Sequence, residues 1–507
     1  HLFDTILPVY ATNTLGLMVL TGIMASLLGV GSAWVIAACD FPGRKIWSWL
    51  LVAPIAAPAY IIAYVYTDFL EFSGPLQSWM RASFGLSAGS YWFPEIRSLS
   101  GAALMMSLVL YPYVYLMARA SFAAQSRSQL LAARTLGATP FRAFWQIALP
   151  SARPAIAGGL ALVLMETLAD FGVADYFAIP TFSTGIFRTW YALGDRQTAL
   201  QFASIMLIFV VVLVVAEASS RRGKVVSQDR LGDWPPPFRF GRVHAVLANL
   251  ACAIPVTLGF VLPVGLLVMN SISVGDQQSF TEIFQYAWNS FKAAGVTALL
   301  AAILALLLVY AHRQAKTGRR SDTATRSGIR FATLGYALPG ALLAIGVLGP
   351  LGFVDQGLTR FARDTLGWQG GLLLSGSIII LTYALIVRFL TVSYNSLSGG
   401  MAKISENMDA AARTLGATPL RLIRRIHIPL LAPQLAVGGA LVFIDVVREL
   451  PATLILRPLN FETLATRVYW LASDERLGEA STASLLIVLM GMASVVLINQ
   501  AGNEAQS

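Results

Sequence analysis

The nine residues AARTLGATP occur twice, at 132–140 and again at 411–419, an offset of 279 residues. Chance does not repeat nine residues in a chain whose flanking sequence has otherwise drifted, so the segment marks a duplicated unit with a duplicated task. At that offset the match extends outward. QLLAARTLGATPFRAFWQIALPSARPAIAGGLALV, beginning at Gln129, faces MDAAARTLGATPLRLIRRIHIPLLAPQLAVGGALV, beginning at Met408. The register is expected to continue without a gap, pairing Arg188 with Arg467 and Asp195 with Asp474.

The 507 residues are 56% hydrophobic and 12% charged, with a mean hydropathy of +0.67. Soluble domains carry about twice that charge fraction. Apolar runs of about 20 residues, long enough to cross a roughly 30 Å hydrocarbon core as helix, recur throughout. The expected spans are 13–38, 47–68, 100–118, 153–179, 200–217, 245–270, 290–311, 329–351, 371–391, 432–456 and 481–499, eleven in all. Barrel strands would read as short alternating segments instead.

Charge placement orients the spans. Loops 40–46, 119–146, 219–243, 312–330 and 395–427 hold 23 Lys and Arg against 6 Asp and Glu, whereas the alternate loops hold 9 against 12. Basic loops stay in the cytoplasm, so the first set is cytoplasmic, as is the C-terminus. Positive charge lying where topology puts it gives no reason to expect a nucleic-acid partner; the expected surroundings are a lipid bilayer. The second half has a span, 245–270, before Asn289, while Asn13 has almost nothing before it. A twelfth, N-terminal span is therefore expected in the full-length protein.

The expected organisation is a first half at 1–218, a cytoplasmic linker at 219–244 and a second half at 245–507. The linker contains Pro235, Pro236 and Pro237 among six basic residues, a connecting composition. Halves with equal span number and the same orientation are related by an axis along the membrane normal, and a pathway along it is the natural site. Cys39 and Cys252 suggest neither a disulfide framework nor a metal cluster. The four histidines offer no transmembrane metal site.

The repeat has a physical logic. Ala132, Ala133, Ala411 and Ala412 are small enough for a short helix to lie in a partner's groove. Gly137 and Gly416 permit a sharp turn, and Pro140 and Pro419 suit the first turn of a following helix. Arg134 and Arg413 supply polar contacts. With nine residues between, each glycine is followed by Ile147, Leu149 and Pro150, or by Ile426, Ile428 and Pro429. This spacing resembles the EAA signature of permease subunits of ABC importers. The resemblance implies a coupling helix pressed against an ATPase subunit, a homodimer serving both copies. The acid that opens the signature is replaced by Leu131 and Ala410, with Asp409 adjacent in the second copy. None of the five lysines completes a G-x-x-x-x-G-K-[ST] loop, so ATP and Mg belong to the partner and this chain carries no cofactor and is not an enzyme.

LMETLADFGVADYF at 164–177 places Glu166 and Asp170 on one helix face. FIDVVRELPATLIL at 443–456 places Asp445 and Glu449 at the same positions, with Arg448 as the single base close by, able to close the empty site. Ionisable groups at membrane depth cost roughly 2.5 to 3.5 kcal/mol each on insertion scales and call for a reason. One reason is an acidic pathway for a hard cation, in which these four acids are transient metal ligands. The competing reason is that they tie or cap helices near Gly172 and Pro451. Asp175, which has no acidic counterpart, reads as a surface or gate residue.

ETLADFG, RELPATLILRP and TLATRVYWLASDERL resemble the fused permeases of ferric iron ABC importers over essentially the whole chain. Thiamine permeases share much of the pattern. The resemblance implies an all-α polytopic type I importer permease with two pseudo-two-fold-related halves in the bacterial inner membrane. It also implies a periplasmic or extracellular ferric-binding protein, with Arg188, Arg467, Asp474 and Glu475 as docking candidates. A cation-coupled secondary transporter is the rival class, disfavoured by the duplicated EAA-like loops.

Overall fold

A chain without water to satisfy its amides must close its backbone hydrogen bonds internally, and this one does so as helix. The computed structural model describes residues 6–87, 89–124, 135, 137–220, 238–273, 279–317, 327–329, 331–367 and 369–504. Among the described residues nine helices are long and apolar enough to cross a membrane. Two bent pairs, Arg44–Ala56 with Ala59–Phe84 and Pro419–Leu430 with Ala432–Val447, raise the number to eleven if each is one span. The protein is thus a helical multi-pass membrane protein, with nine to eleven candidate spans among the described residues against the eleven expected.

Individual boundaries differ from expectation for local reasons. The span expected at 329–351 is a helix at Gly340–Leu366, started by Pro339 and stopped by Gly367 at φ +65°. A hydropathy pattern loses this helix at Asp355, where charge returns although the backbone stays helical. The span expected at 153–179 ends as helix at Ala169, and the one at 432–456 breaks between Val447 and Pro451. The bends of 90° and 77° fall at Pro58 and just before Pro433, where proline removes a donor and excludes the preceding turn.

The chain divides into two units, one of residues 1–276 and 471–485 and the other of 277–470 and 486–507. In the first, Leu7–Ala38 packs on Leu99–Ala124 and Leu149–Ala169. Glycine permits the approach: a Cβ on Gly29 would lie 2.8 Å from the Tyr111 carbonyl oxygen, and one on Gly159 would lie 2.8 Å from the Val114 Cα. In the second, Phe280–Thr317, Ile378–Met401 and Ala432–Val447 pack together, with Gly438 against Ser393. A two-residue parallel pairing joins Cys39–Asp40 to Phe238–Arg239 in the first unit. Burial pushes the Cys39 thiol up to about 12, which leaves it unreactive.

Each unit contains the same clamp, and the clamps correct the register. Asn13 donates to the Pro180 carbonyl at 3.2 Å, and Thr14 accepts from the Phe182 amide at 3.2 Å. Asn289 donates to the Glu462 carbonyl at 2.9 Å, and Ser290 accepts from the Leu464 amide at 2.8 Å. Thr181 with Thr184, and Thr463 with Thr466, cap the helices that follow in the same way. The Asn13 and Asn289 side of the clamp lies at an offset of 276 residues and the Thr181 and Thr463 side at 282, so between the acids, at 279, and the outer helix the second half is three residues longer than the first. Arg188 therefore corresponds to Trp470 and Arg467 to Gly185, and the gapless pairing of the two arginines does not hold.

Candidate functional site

The repeated segment folds alike in both units wherever it is described. In the second, Ser405 caps the helix Glu406–Thr414. Gly416 reverses the chain at φ +81°, and the Ala417 amide returns to the Ala412 carbonyl at 3.0 Å. Thr418 then caps a short helix opened by Pro419. In the first, Gly137 turns at φ +79°, and Thr139 caps a short helix opened by Pro140. Ala132, Ala133 and Arg134 lie outside the described residues. Both copies continue into one turn of π-helix, Phe144–Ala148 and Ile423–His427.

The side chains divide into seat and surface. Ala412 is buried while Ala411 is exposed. Arg413 donates to the Gln314 side chain at 2.7 Å, beside a cavity of about 390 Å³ lined also by Tyr310, Ala417, Pro419 and Leu422. Phe141 and its counterpart Leu420 are 73% and 71% exposed. Both are apolar side chains held open beside the turn, and sequence reading passed over them because they look like ordinary apolar helix residues.

The acids occupy helix breaks. Asp170 ends the helix Leu149–Ala169 and accepts from the Val173 and Ala174 amides at 3.0 and 3.3 Å, capping Gly172–Tyr176. Glu166, one turn earlier, is half-buried. In the second unit Glu449 takes the corresponding cap, accepting from the Ala452 amide at 3.1 Å. It also accepts from Arg388 at 2.9 Å, while Asp445 pairs with Arg448.

One expectation is corrected here. Arg448 is not the single nearby base, since Arg388 reaches Glu449 from Ile378–Met401. Asp445 and Glu449 each already hold a guanidinium, and the Arg448 pairing with Asp445 is the one expected of a closed site. The first half has no counterpart to either arginine. Gly159 facing Val114 and Gly438 facing Ser393 fix the register that places Val109 opposite Arg388, and Ala169 takes the place of Arg448. The acids were duplicated and the bases were not. A lone Arg388 inside an apolar run was the available signal. Among the described residues no three His, Cys, Asp or Glu side chains group as a metal site.

The Arg388–Glu449 contact leaves no room for a methyl group. A Cβ on Gly340 would lie 2.2 Å from Glu449 Oε1 and 2.3 Å from Arg388 Nη1. Gly340→Ala should therefore displace the tips of both side chains and lower stability by about 1 to 3 kcal/mol, the range for an overpacked site. A thermal unfolding midpoint in detergent close to that of the native chain would count against this.

The outer candidates are dispersed. Arg188 pairs with Asp175 at 3.5 Å, which gives Asp175 a partner within its own unit. Arg467 stacks over Tyr286 at 5.6 Å. Asp474 and Glu475 are exposed, and Glu475 holds φ +59°. A charged residue kept in a conformation that favours glycine is a functional signal in its own right.

Residues 25–220 match the family of binding-protein-dependent transport system inner membrane components. Over 497 residues the chain is 24% identical to the Fe(3+)-transport system permease protein FbpB 2 of Haemophilus influenzae, covering 96% of this chain and 89% of that one. It is 22% identical to the ferric transport system permease protein FbpB of Actinobacillus pleuropneumoniae, covering 94% and 69%. The molybdenum transport system permease protein ModB of Haemophilus influenzae is 28% identical over 216 residues, 90% of its length but 41% of this chain. That a nearly whole relative fits within less than half the chain agrees with two fused halves.

Proposed function

We infer that this chain, two fused halves of a binding-protein-dependent transport permease, is the membrane path of an ATP-driven importer whose cargo is ferric iron. One observation supports the cargo above the rest: the relatives matched along nearly the whole chain are ferric permeases, while the molybdenum permease matches less than half of it. The first-half carboxylates agree with a hard trivalent cation, which prefers oxygen ligands. Loaded binding protein outside and ATP on the ATPase inside bias the path between outward-facing and inward-facing states. ATP and Mg reside on that ATPase, a homodimer whose two equal surfaces receive the two repeat segments. The membrane is the bacterial inner membrane, with the C-terminus in the cytoplasm.

The deciding experiment is uptake into proteoliposomes holding permease, ATPase and binding protein. Labelled iron should enter only with ATP, and thiamine should not compete. Iron entry that persists without the ATPase would instead support a cation-coupled carrier.

Docking of the ATPase should depend on the exposed apolar pair. Phe141→Asp together with Leu420→Asp should reduce recovery of the ATPase with the purified permease by about tenfold or more, as loss of a central anchor does. Undiminished recovery would move the contact elsewhere.

A further inference from the structure

Asp409, the acid nearest the vacant signature position, is not presented to a partner. It lies buried in the first turn of Glu406–Thr414 and accepts from Arg313 Nε at 2.6 Å, while His427 Nε2 lies 3.0 Å from its other oxygen. Arg313, near the end of Phe280–Thr317, also donates to the carbonyls of Met401, Ile404 and Ser405 at 2.9 to 3.0 Å. One guanidinium thus ties together a membrane helix, the end of Ile378–Met401 and the cap of the coupling helix. His427 ties the π-turn that follows. The three side chains are 7%, 7% and 0% exposed.

The first half has none of these groups. The Asn13–Asn289 offset of 276 places Ala37 at the position of Arg313, and the repeat offset of 279 places Leu130 and Ala148 at those of Asp409 and His427. The repeat segment itself is preserved over nine residues, while the residues of its ionic seat occur in the second copy's sequence and not at the matching positions of the first.

We propose that Arg313, Asp409 and His427 are positioning residues that make the second coupling helix a rigid lever on the membrane helices, so that the two halves receive the ATPase stroke unequally and the second carries most of it. This rests on the reading of the repeat segments as ATPase contacts. Buried ion pairs fix geometry more than they add stability, and exchange of the whole set for apolar residues is often neutral, whereas loss of one member is costly. That difference separates a positioning role from a merely structural one.

The test transplants the first half's residues as the triple variant Arg313→Ala, Asp409→Leu, His427→Ala, with the complete importer in proteoliposomes. The maximal rate of iron uptake should fall about tenfold while the half-saturating concentration of loaded binding protein stays within about twofold, a coupling loss without a docking loss. Amide hydrogen exchange across 406–414 in the purified permease should accelerate. A native uptake rate in the triple variant overturns the proposal, as does unchanged exchange across 406–414. Should the triple variant fail to assemble, Asp409→Asn is measured instead, and native uptake there overturns it equally. Failure of the native importer to move iron with ATP defeats the reading of function, while the exchange result still judges the seat.

Discussion

Glu166→Gln combined with Asp170→Asn should reduce the initial rate of iron uptake by at least about 100-fold, because each carboxylate lost as a charged ligand removes about 1.5 to 3 kcal/mol. Asparagine at position 170 keeps an oxygen for the Val173 and Ala174 amides, so the cap on Gly172–Tyr176 survives and the loss reports on charge. The comparison is Asp445→Asn with Glu449→Gln. There the carboxylates are already engaged by Arg448 and Arg388, so removal exposes two buried guanidinium groups and acts on stability. Thermal unfolding in detergent separates the two effects: the first-half variant should unfold near the native midpoint and the second-half variant well below it. Uptake within a few fold of native in the first-half variant would end the acidic-path reading.

Arg388→Met should destabilise the permease by about 3 to 5 kcal/mol, since it leaves the Glu449 carboxylate buried without its guanidinium. The side chains of the pair are 7% and 5% exposed, so water cannot substitute. Adding Glu449→Leu to Arg388→Met should recover most of the loss, because an apolar pair leaves nothing uncompensated. The measurement is the unfolding midpoint of each single variant and of the double. Additive losses in the double would mean that the two side chains stabilise their surroundings separately.

Much of the fold was legible from the sequence because its determinants are local. Apolar length gave the number of spans, and the repeated AARTLGATP gave the equivalence of Gly137 with Gly416 and of Pro140 with Pro419, both realised as matching turns. The acids were found because carboxylates at membrane depth are rare. Their roles were not legible, since the partner of Glu449 is 61 residues away in sequence on another helix. The guanidinium of Arg313 was hidden differently. Counted among basic loop residues it looks like topology, and only the packed helix end shows it buried against Asp409. Hydropathy likewise failed at 340–366, where a helix runs on through charge.

The three-residue difference in length between the halves before Thr463 carries a historical consequence. A duplicated gene keeps its pairings only while both copies hold the same length, and beyond this difference the inherited counterpart of Arg188 is Trp470. The two outer arginines therefore descend from different ancestral positions and arrived independently. Covariation sought between halves at one fixed spacing will match unrelated sites over the last outer segment and the final helix. Recombining halves of related permeases should respect this junction: a crossover placed before it exchanges the longer outer loop along with its clamp, and one placed after it leaves a clamp facing the wrong length of chain.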